Sequence, residues 1–150
     1  MRLVIQRVLR SSVEVGSEMI SKIGNGIMVL VGVEAGDAET DADWLADKLT
    51  SMRIFNDANG VMNLSVKEID GDVLAVSQFT LNASTRKGNR PSYIRAERPE
   101  KAESLYEYFC RKVSLNLGKE IMKGRFGADM KVLLINDGPV TIIIDSRLRE

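Results

Sequence analysis

Histidine is absent from this 150-residue sequence, and cysteine occurs once. Without histidine the chain holds no Ser-His-Asp or Cys-His hydrolase centre. With a single thiol, a zinc site would need carboxylates almost alone. The usual general base near neutral pH is missing too. Catalysis in such a chain must come from placed hydrogen-bond donors, a carboxylate or lysine, or the substrate itself; no metal and no cofactor is expected. Cys110 has no partner for an internal disulfide and suits a reducing compartment. Its place on a helix face reads as a small buried hydrophobe. Charge of one sign is lacking as well: 21 Lys and Arg balance 21 Asp and Glu. No global field draws the chain to nucleic acid or membrane, so any such partner must meet a local patch. No apolar run approaches the ~20 residues of a membrane span, and Met1 to Arg7 lacks the apolar core and cleavage site of a signal peptide.

What is present is ordinary for a soluble globular chain: 44% hydrophobic and 28% charged residues. The length fits one domain, residues 1–150, able to bury about two-thirds of its unfolded surface. Leu3 to Val8 reads as a first strand, and Ser12 to Val15 with Met19 to Ile23 as a hairpin around Gly16-Ser17-Glu18. After the turn Gly24-Asn25-Gly26, the apolar run Ile27 to Val33 suits a central strand. Thr40 to Asp43 resembles a capping box. Ala42, Leu45, Ala46, Leu49 and Met52 then recur at helical spacing, with Trp44 off the main apolar line. Arg53 to Phe55 suggests a short strand, and residues 61–71 are ambiguous. Pro99 opens a second helix whose apolar stripe runs from Ala102 to Leu117, and Gly118 stops it. Met130 to Ile135 and Val140 to Ile144 read as two last strands joined by a turn, Asn136-Asp137-Gly138-Pro139, in which local sequence favours a trans peptide bond.

Two stretches carry candidate chemistry. Asp72 to Val76 is apolar on both faces and reads as a buried strand, which then delivers Ser77, Gln78, Phe79, Thr80 and Leu81 without a Gly or Pro to end it. In extended geometry Gln78 and Thr80 share one face, and Ser77, Phe79 and Leu81 the other. Such groups are either tied to neighbouring backbone or used. The second stretch, Asn82 to Arg98, has no period and reads as a long loop, a kind that is usually functional or disordered. Between Asn82 and Lys101 six basic residues, among them Arg86, Lys87 and Arg90, stand against two acids, Glu97 and Glu100. This local excess is either a solvated loop or a contact for an anion such as phosphate.

Ser77-Gln78-Phe79-Thr80-Leu81 together with Asn136-Asp137-Gly138-Pro139-Val140-Thr141 resembles the two signature motifs of the D-aminoacyl-tRNA deacylase (D-tyrosyl-tRNA deacylase) family. Met1 to Val8, Thr85 to Ser92 and Gly127 to Met130 resemble the family too, in the right order and over the whole length. Asn82-Ala83-Ser84 departs from the Tyr- or Leu-Ala-Asp-like segment expected there, and Tyr93 stands where Phe is common. The resemblance implies an α/β fold of mixed β-sheets packed in layers with helices, in a cytoplasmic homodimer. It implies hydrolysis of the ester joining a D-amino acid to the acceptor end of tRNA, and removal of glycine from mischarged tRNA. Carried over, Ser77, Gln78, Phe79 and Thr80 form the catalytic segment. Gly138 and Pro139, joined by a cis bond and held by Arg7, reject L-amino acids in the partner subunit's site. Arg86, Lys87 and Arg90 are then the candidates for tRNA phosphates. Thr80 as a nucleophile has no histidine to activate it; the alternative is an oxyanion hole of backbone N–H groups near Phe79 and Thr80, with the ribose 2′-OH helping to activate water.

Overall fold

The computed structural model describes residues 1–149. Its frame is a mixed sheet of β1 (Arg2–Val15), β2 (Glu18–Ile23), β3 (Gly26–Gly32), β6 (Asp72–Ser77), β7 (Met122–Lys123) and β8 (Met130–Asp145). Neighbours run in the order β2-β1-β3-β6-β7, with β8 also paired to β1. A separate small hairpin joins β4 (Phe55–Asn56) to β5 (Met62–Leu64). Helices α1 (Glu39–Ser51) and α2 (Pro99–Leu117) complete the fold, a curled sheet with two helices.

The alternation along the central strands explains why the sheet is apolar on both faces. Ile27, Val29, Val31, Val73 and Ala75 enter the main core beneath the helices, where they meet Leu45, Leu49, Tyr106 and Phe109. Met28, Leu74 and Val76 face the other way and form a second cluster with Val8, Val13 and Ile23. β3 and β6 are parallel, from Gly26 opposite Asp72 to Val31 opposite Ser77. The two helices are tied to each other by polar groups: Tyr108 donates to Asp43 at 3.0 Å and Asn116 to Asp47 at 2.8 Å.

Four local expectations are corrected. The first strand does not stop at Val8: β1 continues to Val15, because β8 pairs with it along its length even where Leu9 and Arg10 face outward. The last two strands are one. β8 crosses the Asn136–Pro139 segment without reversing, and residues 137–140 bulge out opposite Arg7, between the pairs Val8–Asn136 and Gln6–Thr141. The extended geometry ends with Ser77, the last residue of β6, and the chain turns into a 3-10 helix over Phe79–Asn82. Finally, the carboxylate that caps α1 is Asp41, which accepts from the Ala38 N–H at 2.9 Å; Thr40 already lies within the helix.

Candidate active site

β6 delivers Ser77 beside Val31, and the Gln78 N–H adds a last rung to the Val31 carbonyl at 2.8 Å. The chain then turns because Gly32 leaves room for it. A Cβ on Gly32 would lie 2.9 Å from Leu81 Cβ and 3.2 Å from the Gln78 carbonyl oxygen. The turn is closed by Leu81 N–H donating to Gln78 O at 3.3 Å and Ala83 N–H to Thr80 O at 3.1 Å. The buried Asn82 carboxamide anchors it to the Val33 carbonyl at 2.8 Å. The first N–H groups of any such turn have no acceptor within it. Here no side chain caps them, and no described backbone carbonyl receives the Phe79 or Thr80 N–H.

Ser77, Gln78 and Phe79 open onto a cavity of about 740 Å³, walled by Val31, Val33 and Val76 and by Met130 and Val132 of β8. Tyr106 closes its floor, donating its hydroxyl to the Ala75 carbonyl at 2.9 Å, with burial holding that phenol far above its usual range. Phe79 and Tyr93 form the rim, edge to face at 5.1 Å, and both are exposed. Neither carboxylate at the cavity is free. Glu97 accepts from the Arg98 N–H at 2.9 Å, which with Lys101 holds it below the usual carboxylate range against its partial desolvation. Asp129 pairs with Lys131 at 3.1 Å. Thr80 is not part of the cavity wall, and its hydroxyl accepts from the Gln78 carboxamide. Among the described residues no three His, Cys, Asp or Glu side chains converge as metal ligands. The arrangement offers an unoccupied amide donor on Phe79, a residue of the apolar cavity wall, with that of Thr80 next in the chain: suited to a developing oxyanion, poorly suited to side-chain acid–base work.

The other sequence-selected residues lie elsewhere. The Gly138–Pro139 bond is cis, and Gly138 has φ +127°, a conformation that L side chains rarely adopt. Arg7, buried, donates from Nε to the Asp137 carbonyl at 2.9 Å and from Nη1 to the Ile54 carbonyl at 2.7 Å. Neither Gly138 nor Pro139 lines the Ser77–Phe79 cavity. Gly138 is six residues along β8 from Val132, a separation of up to about 20 Å at strand rise. Arg86, Lys87 and Arg90 are exposed, whereas two other basic residues of the same region are taken: Arg95 by Glu34 at 2.8 Å and Lys101 by Glu97 at 3.2 Å. Sequence reasoning missed Glu34, Gly32 and Asn82. Only the departure at Asn82 was a visible signal.

A profile of the D-Tyr-tRNA(Tyr) deacylase family matches residues 4–145. The chain belongs to that family. Curated proteins named D-aminoacyl-tRNA deacylase from Akkermansia muciniphila and Parabacteroides distasonis are 58% and 57% identical to it over 150 residues, covering all of this chain and all of theirs. A solved structure of a c-Myc DNA unwinding element binding protein superposes with a TM-score of 0.92 at 40% identity, over 97% of this chain and 98% of that one. Another, a probable eukaryotic D-amino acid tRNA deacylase, gives a TM-score of 0.81 over 95% and 97% of the two chains; at 18% identity it speaks for the fold alone. The enzyme is thus an aminoacyl-tRNA deacylase, a hydrolase of the ester between amino acid and tRNA.

Proposed function

We propose that the enzyme cleaves D-aminoacyl and glycyl esters of tRNA at the cavity beside Phe79, with the Phe79 and Thr80 N–H groups as the oxyanion hole. The observation that carries this reading is that these two donors lack an acceptor while the Ser77–Phe79 segment faces the cavity. An amide donor placed for the oxyanion is worth roughly 2.7–4 kcal/mol of barrier in other hydrolases. Water is then activated by the ribose 2′-OH of the substrate: the chain has no histidine, and the two carboxylates at the cavity, Glu97 and Asp129, are paired with Lys101 and Lys131. Gln78 and Ser77 shape the pocket, and the exposed Arg86, Lys87 and Arg90 meet acceptor-end phosphates.

L-amino acids are excluded by a wall, in this reading the Gly138–Pro139 backbone held by Arg7. D and L esters present the same groups, so attraction alone separates them poorly and a fixed obstacle is needed. Glycine passes because it has no side chain to exclude. Within one chain neither Gly138 nor Pro139 lines the cavity, so in this reading the wall serves a second copy's cavity and the working unit is a homodimer in the cytoplasm. The outward row Leu133, Ile135 and Ile143 on β8 supplies apolar surface for such pairing.

The test of the chemistry is Thr80→Ala with D-Tyr-tRNA ending in a 2′-hydroxyl or 2′-deoxy adenosine. Appreciable activity in Thr80→Ala, with weak cleavage of the 2′-deoxy ester by the wild type, supports the amide reading. Complete loss in Thr80→Ala with full cleavage of simple aminoacyl esters would replace it with a threonine nucleophile.

A further inference from the structure

The turn that carries Phe79 and Thr80 is held at its far end by a residue from the start of the chain. Arg2 lies opposite Gly32 in the β1–β3 ladder and opposite Asp145 in the β1–β8 ladder. Directly paired residues project to the same face of a sheet, so the missing side chain of Gly32 leaves a gap beside Arg2, and Leu81 fills it. Across that gap Arg2 Nη1 donates to the Leu81 carbonyl at 2.8 Å. The rest of the guanidinium is fixed by Asp145 Oδ2, with Nε at 3.1 Å and Nη2 at 2.8 Å. Arg2 does not line the cavity. Its Asp145 anchor is nearly buried, so the fork stays aimed at the turn instead of swinging into solvent.

We propose that Arg2, locked by Asp145, is a positioning residue for deacylation: it clamps the Leu81 carbonyl so that the Phe79 and Thr80 N–H groups stay aimed at the reacting ester. The carbonyls that end a helical turn lack internal partners, and a cationic fork is a strong donor for one of them. With Asn82 tied to Val33, the turn is held from β1 and from the residue that follows β3. The proposal rests on the amide reading above.

The test uses the full chain with Arg2→Met, which keeps the stem and removes the donors, and Arg2→Lys, which restores one. Single-turnover cleavage of D-Tyr-tRNA gives the saturating rate and the half-saturating enzyme concentration, while amide exchange is followed at Leu81 and Ala83, with Leu74 and Val76 as references. In Arg2→Met the saturating rate should fall roughly 10- to 100-fold, in line with displacement of a reacting geometry by up to ~1 Å, with half-saturation unchanged. Exchange at Leu81 and Ala83 should quicken and that of β6 should not, and Arg2→Lys should recover part of the rate. If Arg2→Met fails to fold, Asp145→Asn, which leaves the donors but loosens their anchor, must show the same pattern more weakly. Unchanged exchange at Leu81 and Ala83 overturns the clamp itself. Quickened exchange with a wild-type rate overturns the catalytic role and locates the fault in the amide reading. A raised half-saturation with an unchanged saturating rate overturns it in favour of direct substrate contact by Arg2.

Discussion

Gly32→Ala isolates the link between packing and catalysis. The new Cβ would stand 2.9 Å from Leu81 Cβ, where carbon atoms normally meet at about 3.5–4.0 Å, leaving a shortfall of roughly 0.6–1.1 Å. β3 cannot yield, because it is hydrogen-bonded between β1 and β6 and buried in both cores. The 3-10 turn must therefore lift and carry the Phe79 and Thr80 N–H groups with it. Overpacking of this kind costs about 1–3 kcal/mol, a loss that a domain stable by about 5–15 kcal/mol survives. A displacement approaching 1 Å at the reacting atoms costs on the order of 100-fold in rate. The variant should therefore melt cooperatively, a few degrees low, and cleave D-Tyr-tRNA roughly 10- to 100-fold more slowly at saturating enzyme. A folded Gly32→Ala enzyme with an undiminished single-turnover rate would refute the argument that this turn positions the chemistry.

Arg7→Met removes charged donors from the Ile54 and Asp137 carbonyls and should cost roughly 2–5 kcal/mol in urea unfolding, with weaker rejection of L-Tyr-tRNA; a loss below about 1 kcal/mol contradicts the role given to these bonds. Glu34 is held below its ordinary value of 4.5, chiefly by the Arg95 guanidinium, so its ionised form contributes stability above about pH 4.5 that fades as pH falls through the depressed folded value. Thermal melts of wild type and Glu34→Gln should show a wild-type advantage that holds from pH 7 to about 4.5 and shrinks below; an advantage growing toward pH 3 would reverse the sign. Burial pushes the Cys110 thiol up to about 12, so a thiol-specific disulfide reagent at pH 8 should leave the native protein unmodified and titrate one thiol after unfolding. Rapid native labelling would mean that α2 opens far more readily than its packing implies.

The helices and central strands were legible because their signal is local. The apolar spacing of Ala42, Leu45 and Leu49 marks the buried face of α1, and the unbroken run Ile27 to Val31 marks a strand covered on both sides. The missed features are set by partners distant in sequence. Asn136 to Pro139 is made of turn formers, yet it bulges instead of reversing because β1 continues past it on the same side of the ladder. Leu9 and Arg10 interrupt the apolar alternation, but backbone pairing to β8 needs no side-chain pattern. The turn after Gln78 depends on the absent side chain of Gly32, and Arg7 finds its acceptors 47 and 130 residues away. The candidate site was legible through the motif blocks and their resemblance to a family. The free amides, the gap at Gly32 and the Arg2 clamp are properties of the folded chain.

Single-turnover deacylation of D-Tyr-tRNA and L-Tyr-tRNA side by side tests the central claim most directly. The account predicts rapid loss of the D ester with the L ester intact. Cleavage of both would leave an ester hydrolase without its wall at Gly138–Pro139, and cleavage of neither, with tRNA still bound, would contradict the catalytic reading of the Phe79 turn.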